Sequence, residues 1–428
     1  MTSFDISNAD RGMLQNLHTE LQQFFEQTRK AGLNLDLTRG KPGAEQLALS
    51  DKLDGILQGN FISNSGTDTR NYGGLDGLAE CKTLFADLIQ VKPDEILIGG
   101  NSSLTLMYQS VLFAWEFGFG KDATAWKNEG TIKFLCPVPG YDRHFSICQA
   151  FGIEMIPVAM NDSGPDMDAI EKQISEDHSI KGIWCVPRFS NPSGIVYSDK
   201  TVERIARLGL IAAKNFRVFW DNAYAIHAFQ NDAAELAPIM SFCRQHGTEN
   251  SVLQFGSTSK VTFAGAGLAF MASSPDNLAA FKKQLGYASI GPDKVNQLRH
   301  VRFFTEHTNF EEHMQQHAAL LKPRFDIVLS KLAAHFNESD ALQWTVPKGG
   351  YFVSVDTRPG LAKRVVSLAD ELGVKLTPAG ATFPGGEDPN NSNIRIAPSF
   401  PGLDEIDKAM DVFVLCVKLA TVEQALEQ

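Results

Sequence analysis

The chain has 428 residues, 43% of them hydrophobic and 21% charged, a balance that excludes a disordered chain, a collagen-like repeat and a coiled-coil rod. At about 150 residues per domain, the length suggests two or three domains. With 39 Lys and Arg against 50 Asp and Glu the net charge is −11, a field that repels phosphate backbones, so no nucleic-acid partner is expected.

The N-terminus, Met1 to Ser7, has neither the basic nor the apolar region of a signal peptide. The first strong element is an amphipathic helix whose apolar face carries Leu14, Leu17, Leu21, Phe24 and Phe25, with Gly32 placed to end it. A loop with two cations follows, Leu37-Thr38-Arg39-Gly40-Lys41-Pro42-Gly43. From there short apolar runs alternate with helical patterns. Strands are expected over 95–98, 132–136, 154–157, 182–186, 218–220, 252–255 and 268–271, and a helix over 201–214 is typical of the segments between them. Such alternation predicts an α/β fold, a mostly parallel seven-stranded sheet sandwiched by helices, with ligand chemistry at the carboxyl ends of its strands. Beyond about residue 320 the text reads as a smaller α+β domain. It has a hairpin around Pro347-Lys348-Gly349-Gly350, a helix over 361–372, strands over 374–377 and 393–397, and a last helix over 403–419. Three segments are expected: 1–55, joined to the small domain; 56–315, the large domain; and 316–428, the small domain.

No apolar run approaches the roughly 18 residues that span a bilayer, so no membrane partner is expected. Six scattered cysteines (Cys81, Cys136, Cys148, Cys185, Cys243, Cys416) include no Cys-x-x-Cys pair. They suit buried free thiols in a cytoplasmic protein better than a disulfide framework or zinc ribbon.

Polar residues stand at the ends of several predicted strands. Gly99-Gly100-Asn101-Ser102-Ser103 follows the first and opens a helix, where backbone N–H groups and hydroxyls suit a phosphate; ordinary helix capping is the other reading. Asn191-Pro192-Ser193-Gly194 follows the 182–186 strand and also reads as a turn. Asp221, three residues before Tyr224, closes a very apolar strand, where a carboxylate is costly without a partner. Ser257-Thr258-Ser259-Lys260 ends the next, setting an amine among hydroxyls and apolar residues that would lower its pKa.

Taken together, in this order, these pieces resemble the fold-type-I pyridoxal-phosphate enzymes, specifically class I aminotransferases. Three signatures resemble a divergent bacterial subgroup of aspartate aminotransferases: Leu37 to Pro42, Gly140 to Phe145, and Gly291 to His300. The resemblance implies that Lys260 forms the Schiff base with pyridoxal 5′-phosphate. It implies that Asp221 pairs with the ring nitrogen, that Tyr224 and Asn191 bond the ring oxygen, and that Tyr141 stacks on the ring. Gly100, Asn101, Ser102, Ser257 and Ser259 would cradle the phosphate, and Tyr72 would reach it across a homodimer interface. Arg395 would hold the substrate α-carboxylate, Asn191 would stand beside it, and the loop of Arg39 and Gly40 would fold over the substrate. The implied reaction moves the amino group of an amino acid, aspartate foremost, to a 2-oxo acid, 2-oxoglutarate foremost; alanine or an aromatic donor is the alternative.

Two positions depart from the pattern. The arginine usually found eight residues after the lysine is Leu268, and no arginine lies around 285–289 to bind a distal carboxylate. Arg39, Lys41, Arg143 and Lys294 are the candidates for that charge. Other readings are weaker. Ser257-x-x-Lys260 occurs in penicillin-recognising hydrolases, but their Ser-Asp-Asn element is missing. An effector-sensing module of a transcription regulator would carry a DNA-binding domain ahead of the first motif, where only about 35 residues stand. His313 and His317, four apart on a helix near His307, are expected to be solvated rather than metal ligands, so no metal is expected.

Overall fold

The structure is a computed structural model and describes residues 4–120, 124–230 and 232–428. Its main sheet runs in the order Ile96–Ile98, Ala269–Ala272, Val252–Ser257, Arg217–Asp221, Ile180–Cys185, Lys133–Val138, Glu154–Asn161. These are the seven expected strands. The two-residue strand Gly164–Pro165, too short to leave a periodic trace, adds an eighth at the edge. From Glu154–Asn161 to Val252–Ser257 every neighbour is parallel; Ala269–Ala272 runs antiparallel to Val252–Ser257.

The apolar runs follow from burial on both faces. Phe134, Trp184 and Phe219 enter one core cluster with Phe255 and Met271. Their immediate neighbours Leu135, Ile183 and Val218 enter another, with Ile170 and Ile205. Successive side chains of a strand point to opposite faces, so each strand must be apolar throughout to feed both layers.

A second, antiparallel sheet joins Leu342–Trp344, Val353–Thr357 and Asn393–Ile396, with Ser354 opposite Arg395. Helices Arg11–Lys30, Phe310–Phe336, Ala362–Glu371 and Leu403–Glu427 share its core, which holds Leu14, Phe25, Leu332, Val355, Phe413 and Val417. The pairing of Leu35–Asp36 with Val374–Lys375 ties the 37–43 loop to this unit.

Three sequence expectations need correction. Leu14, Leu21 and Phe25 are buried, but Phe24 is 58% exposed, because adjacent residues 100° apart around a helix do not both face one core. The helix expected over 201–214 runs only Asp199–Arg207 before a tight turn, where Gly209 packs so closely on Ser251 that a Cβ would sit 2.7 Å from its hydroxyl. The last helix continues to Glu427 instead of stopping at 419, because Val422 still faces the core. All six cysteines are free and buried. Among the described residues no helix is long and apolar enough to cross a membrane.

Candidate active site

Because the central strands are parallel, the segments leaving their carboxyl ends gather at one edge of the sheet. There they line a cavity of about 190 Å³, bounded by Ser102, Tyr141, Asn191, Asp221, Tyr224, Ser257, Ser259 and Lys260 among others. Lys260 lies in a single helical turn directly after the Val252–Ser257 strand, with Val261 N–H and Thr262 N–H donating to the Thr258 carbonyl. Its ammonium takes part in no hydrogen bond among the described residues and lies 5.2 Å from the Tyr224 ring centre and 5.7 Å from that of Tyr351. Burial pulls its pKa below the usual lysine range; nearby Asp221 opposes the shift and Arg395 reinforces it.

Asp221, only 2% exposed, ends the Arg217–Asp221 strand. Its Oδ2 lies 3.1 Å from His144 Nε2, and the His144 ring stacks on Trp184 at 4.4 Å. The other oxygen, Oδ1, is buried and has no partner. Such an orphan costs about 1–3 kcal/mol, more when charged, unless a ligand completes it. Burial also pushes the Tyr141 phenol up to about 12 and raises that of Tyr224, so both stay protonated donors at neutral pH.

Ser102 is the N-cap residue of the Ser103–Phe117 helix, yet its side chain makes no capping hydrogen bond. Against the capping reading, this leaves the hydroxyl free beside the positive end of the helix dipole. Ser257 and Ser259 hydroxyls are 3.1 Å apart, and Ser259 donates to the Asn101 carbonyl at 3.1 Å. Gly100 and Asn101 do not line the cavity; the Asn101 amide is turned away to the Gly265 carbonyl.

Arg395, 6% exposed, donates from Nη1 to Asn191 Oδ1 and to Asp142 Oδ1, each at 3.1 Å, and lies over the Phe352 ring at 4.9 Å. Its Nε is a second buried atom without a partner. Gly40 sits on the same ring: a Cβ there would come within 2.6 Å of Phe352, so only glycine lets the loop lie this close. Arg39 forms no side-chain hydrogen bond or ion pair among the described residues. Of the other candidate cations, Lys41 lies over Phe400, Lys294 donates to the Gly73 carbonyl at 2.6 Å, and Arg143 is exposed. Leu268 points into an apolar cluster with Leu57, Phe85 and Val301, away from any anion. Tyr72 is 84% exposed and outside the cavity lining.

The sequence reading passed over His144, Asp142, Tyr351 and Gln46. His144 stands three residues after Tyr141, a helical spacing that could have marked it, and Asp142 directly follows Tyr141; Tyr351 and Gln46 join only through long-range contacts. The view of His313 and His317 as solvated is also corrected. Both are 1% exposed, with Nε2 atoms turned to the Val261 carbonyl, because their face of the Phe310–Phe336 helix packs on the lysine turn.

A free amine and an unpaired carboxylate oxygen line one cavity, and Arg395, with its own unpaired Nε, bonds the Asn191 that also lines it. Comparison with known proteins gives the same direction. The profile of the aspartate amino-transferase family matches residues 10–428. An aspartate aminotransferase of Corynebacterium glutamicum is 43% identical over 424 residues, covering 99% of this chain and 98% of that protein. An aminotransferase of Mycolicibacterium smegmatis is 46% identical over 96% of each chain. Among solved structures, an aspartate transaminase from C. glutamicum superposes with a TM-score of 0.95 at 42% identity, covering 99% of this chain and all of that one. An α-aminoadipate aminotransferase from Thermus thermophilus shares the fold at a TM-score of 0.73 and 22% identity. The chain is therefore a fold-type-I aminotransferase and belongs to the aspartate aminotransferase family.

Proposed function

We propose that this aminotransferase binds pyridoxal 5′-phosphate in the 190 Å³ cavity and moves the amino group of aspartate to 2-oxoglutarate. The observation that carries the reading is the pairing of an unbonded Lys260 amine with a buried, unpartnered Asp221 Oδ1 on the walls of one cavity. When bound, the cofactor supplies an electron sink for charge developing at the substrate Cα.

The chain's own residues do the rest. Lys260 would hold the cofactor at rest and, once freed, its Nζ would carry a proton from the substrate Cα to the cofactor, a role worth roughly 10²–10⁴-fold. Its lowered pKa favours the neutral amine that this needs. Asp221 Oδ1 would accept the ring N–H, with Oδ2 steadied by His144. Tyr224 and Asn191 would bond the ring oxygen and Tyr141 would cover the ring face. Ser102, Ser257 and Ser259, with the N–H groups of the Ser103–Phe117 helix, would hold the phosphate. Arg395 offers a planar fork to the α-carboxylate. Arg39, unpaired on the Gly40 loop, is our candidate for the distal carboxylate.

Tyr72, Tyr287 and Ile290 are 84%, 80% and 66% exposed, on two segments joined by the Lys294–Gly73 contact. Such an apolar patch supports burial against a second copy, where Tyr72 would meet the partner's phosphate. Six unpaired thiols support a cytoplasmic location. We also propose the division into 1–55 and 316–428 as the small domain and 56–315 as the large one.

Lys260→Ala decides the reading. We expect transamination to fall by more than about 10³-fold and the borohydride-reducible cofactor adduct to vanish. Retention of the adduct overturns the lysine assignment. With 2-oxoglutarate as acceptor, aspartate should turn over faster than alanine or phenylalanine; negligible aspartate activity rejects the donor and leaves the aminotransferase intact.

A further inference from the structure

The turn that carries Lys260 is held by side chains from four distant parts of the chain. The Val261 carbonyl accepts from His313 Nε2 at 2.6 Å and His317 Nε2 at 2.9 Å. The Lys260 carbonyl accepts from His227 Nε2 at 3.2 Å and the Tyr351 hydroxyl at 3.4 Å. A carbonyl only accepts, so each of these nitrogens carries its proton. One residue further on, Thr262 Oγ1 is 2.9 Å from His300 Nε2, whose Nδ1 donates to the Asn296 carbonyl at 2.9 Å.

Gln46 completes the set. It is 1% exposed, and its Nε2 lies 3.1 Å from His317 Nδ1 and 2.9 Å from the Tyr351 hydroxyl. Its two N–H groups satisfy both acceptors, which fixes the His317 tautomer that donates to Val261 and frees the Tyr351 proton for Lys260. Its Oε1 accepts the Gly43 N–H at 3.2 Å. Gln46 therefore touches the end of the 39–43 loop on one side and, one residue removed, both carbonyls of the lysine turn on the other. Burial holds the His317 pKa down at about 4 and that of His227 at about 3, so the imidazoles act as fixed neutral donors at working pH.

We propose that Gln46, acting through His317 and Tyr351, is a positioning residue that keeps the Lys260 backbone in register with the loop covering the substrate. The inference rests on Lys260 being the cofactor lysine. In the proposed reaction the Lys260 side chain has to change partners about a fixed Cα, and an error of about 1 Å in such geometry can cost 10²-fold in rate.

Gln46→Met keeps the length and shape of the side chain and removes the amide. We expect kcat to fall at least about tenfold with KM for aspartate changed less than about threefold, the pattern of a misplaced reacting group and not of lost binding. In the cofactor-free protein, amide hydrogen exchange over 258–263 should accelerate while that of the Arg217–Asp221 strand does not. Tyr351→Phe, one oxygen smaller, should show the same signs more weakly and decides the matter if Gln46→Met does not fold. His317→Gln, which retains an N–H for the Val261 carbonyl, should recover part of the rate lost in His317→Leu. Unchanged kcat and exchange in Gln46→Met and Tyr351→Phe overturn the proposal, as does a raised KM with unchanged exchange. A misassigned lysine shows separately, as a borohydride-reducible adduct surviving in Lys260→Ala.

Discussion

Around the three-stranded sheet Leu332, Val355, Phe413 and Val417 close one apolar cluster, whereas at the edge of the large sheet Asp221 Oδ1, Asn222 Oδ1 and His227 Nδ1 are buried without partners. Arg395 Nε, on the small sheet, is unpartnered too, and its side chain leaves that sheet to reach Asn191. The first region is closed by apolar packing. The other holds Asp221 Oδ1 on the wall of an open cavity, where a ligand can satisfy it, and native proteins leave few such atoms without reason. Orphans also occur away from the cavity, among them Glu80, Arg217 and Gln297, so the site is marked by an orphan that faces the cavity beside Lys260.

Substitutions can break this contrast from either side. Phe413→Ala removes a ring that is 1% exposed and should lower stability by about 3–5 kcal/mol, read from denaturant unfolding, while KM at low temperature stays unchanged. A changed KM would show that the two regions are not independent. Asp221→Asn keeps the shape but removes the charge and should lower kcat by about 10²–10³-fold with a smaller loss of cofactor affinity. Equal losses of both would mark the carboxylate as structural.

The smallest effect concerns pH. Folded His227, His300 and His317 have pKa values lowered to about 3, 4 and 4 by burial, against about 6.5 for an exposed imidazole. The unfolded chain takes up these protons first, so their contribution to stability is full above about pH 6.5 and is lost as pH falls towards 4. The melting temperature of the cofactor-free protein should drop across that window, and less steeply in His317→Gln. A flat profile would mean that these rings reach water.

Much of the fold was legible because each buried strand carries its own signal: Phe219 and Trp220 had to be apolar whichever face they served. Asp221 and Lys260 were legible because a charge ending such a strand needs a reason. Gln46 was not legible. It meets His317 across 271 positions of sequence, and nothing in Ala44–Ala48 distinguishes a buried amide from a surface one. His313 and His317 were misjudged for the same cause, since spacing along a helix says which residues share a face but not what that face meets. Asn101 stands in the expected loop, yet its amide turns to Gly265 because a nearby carbonyl competed for it.

The six unpaired cysteines carry a practical consequence. Each is buried, and burial raises the thiols of Cys81, Cys185 and Cys416 far above their ordinary range and that of Cys243 to about 12. Alkylating reagents attack the thiolate, so the native chain presents them with almost no target. Labelling then counts only molecules that have opened, and mass spectrometry of the labelled positions would report, cysteine by cysteine, which part of the protein came apart first.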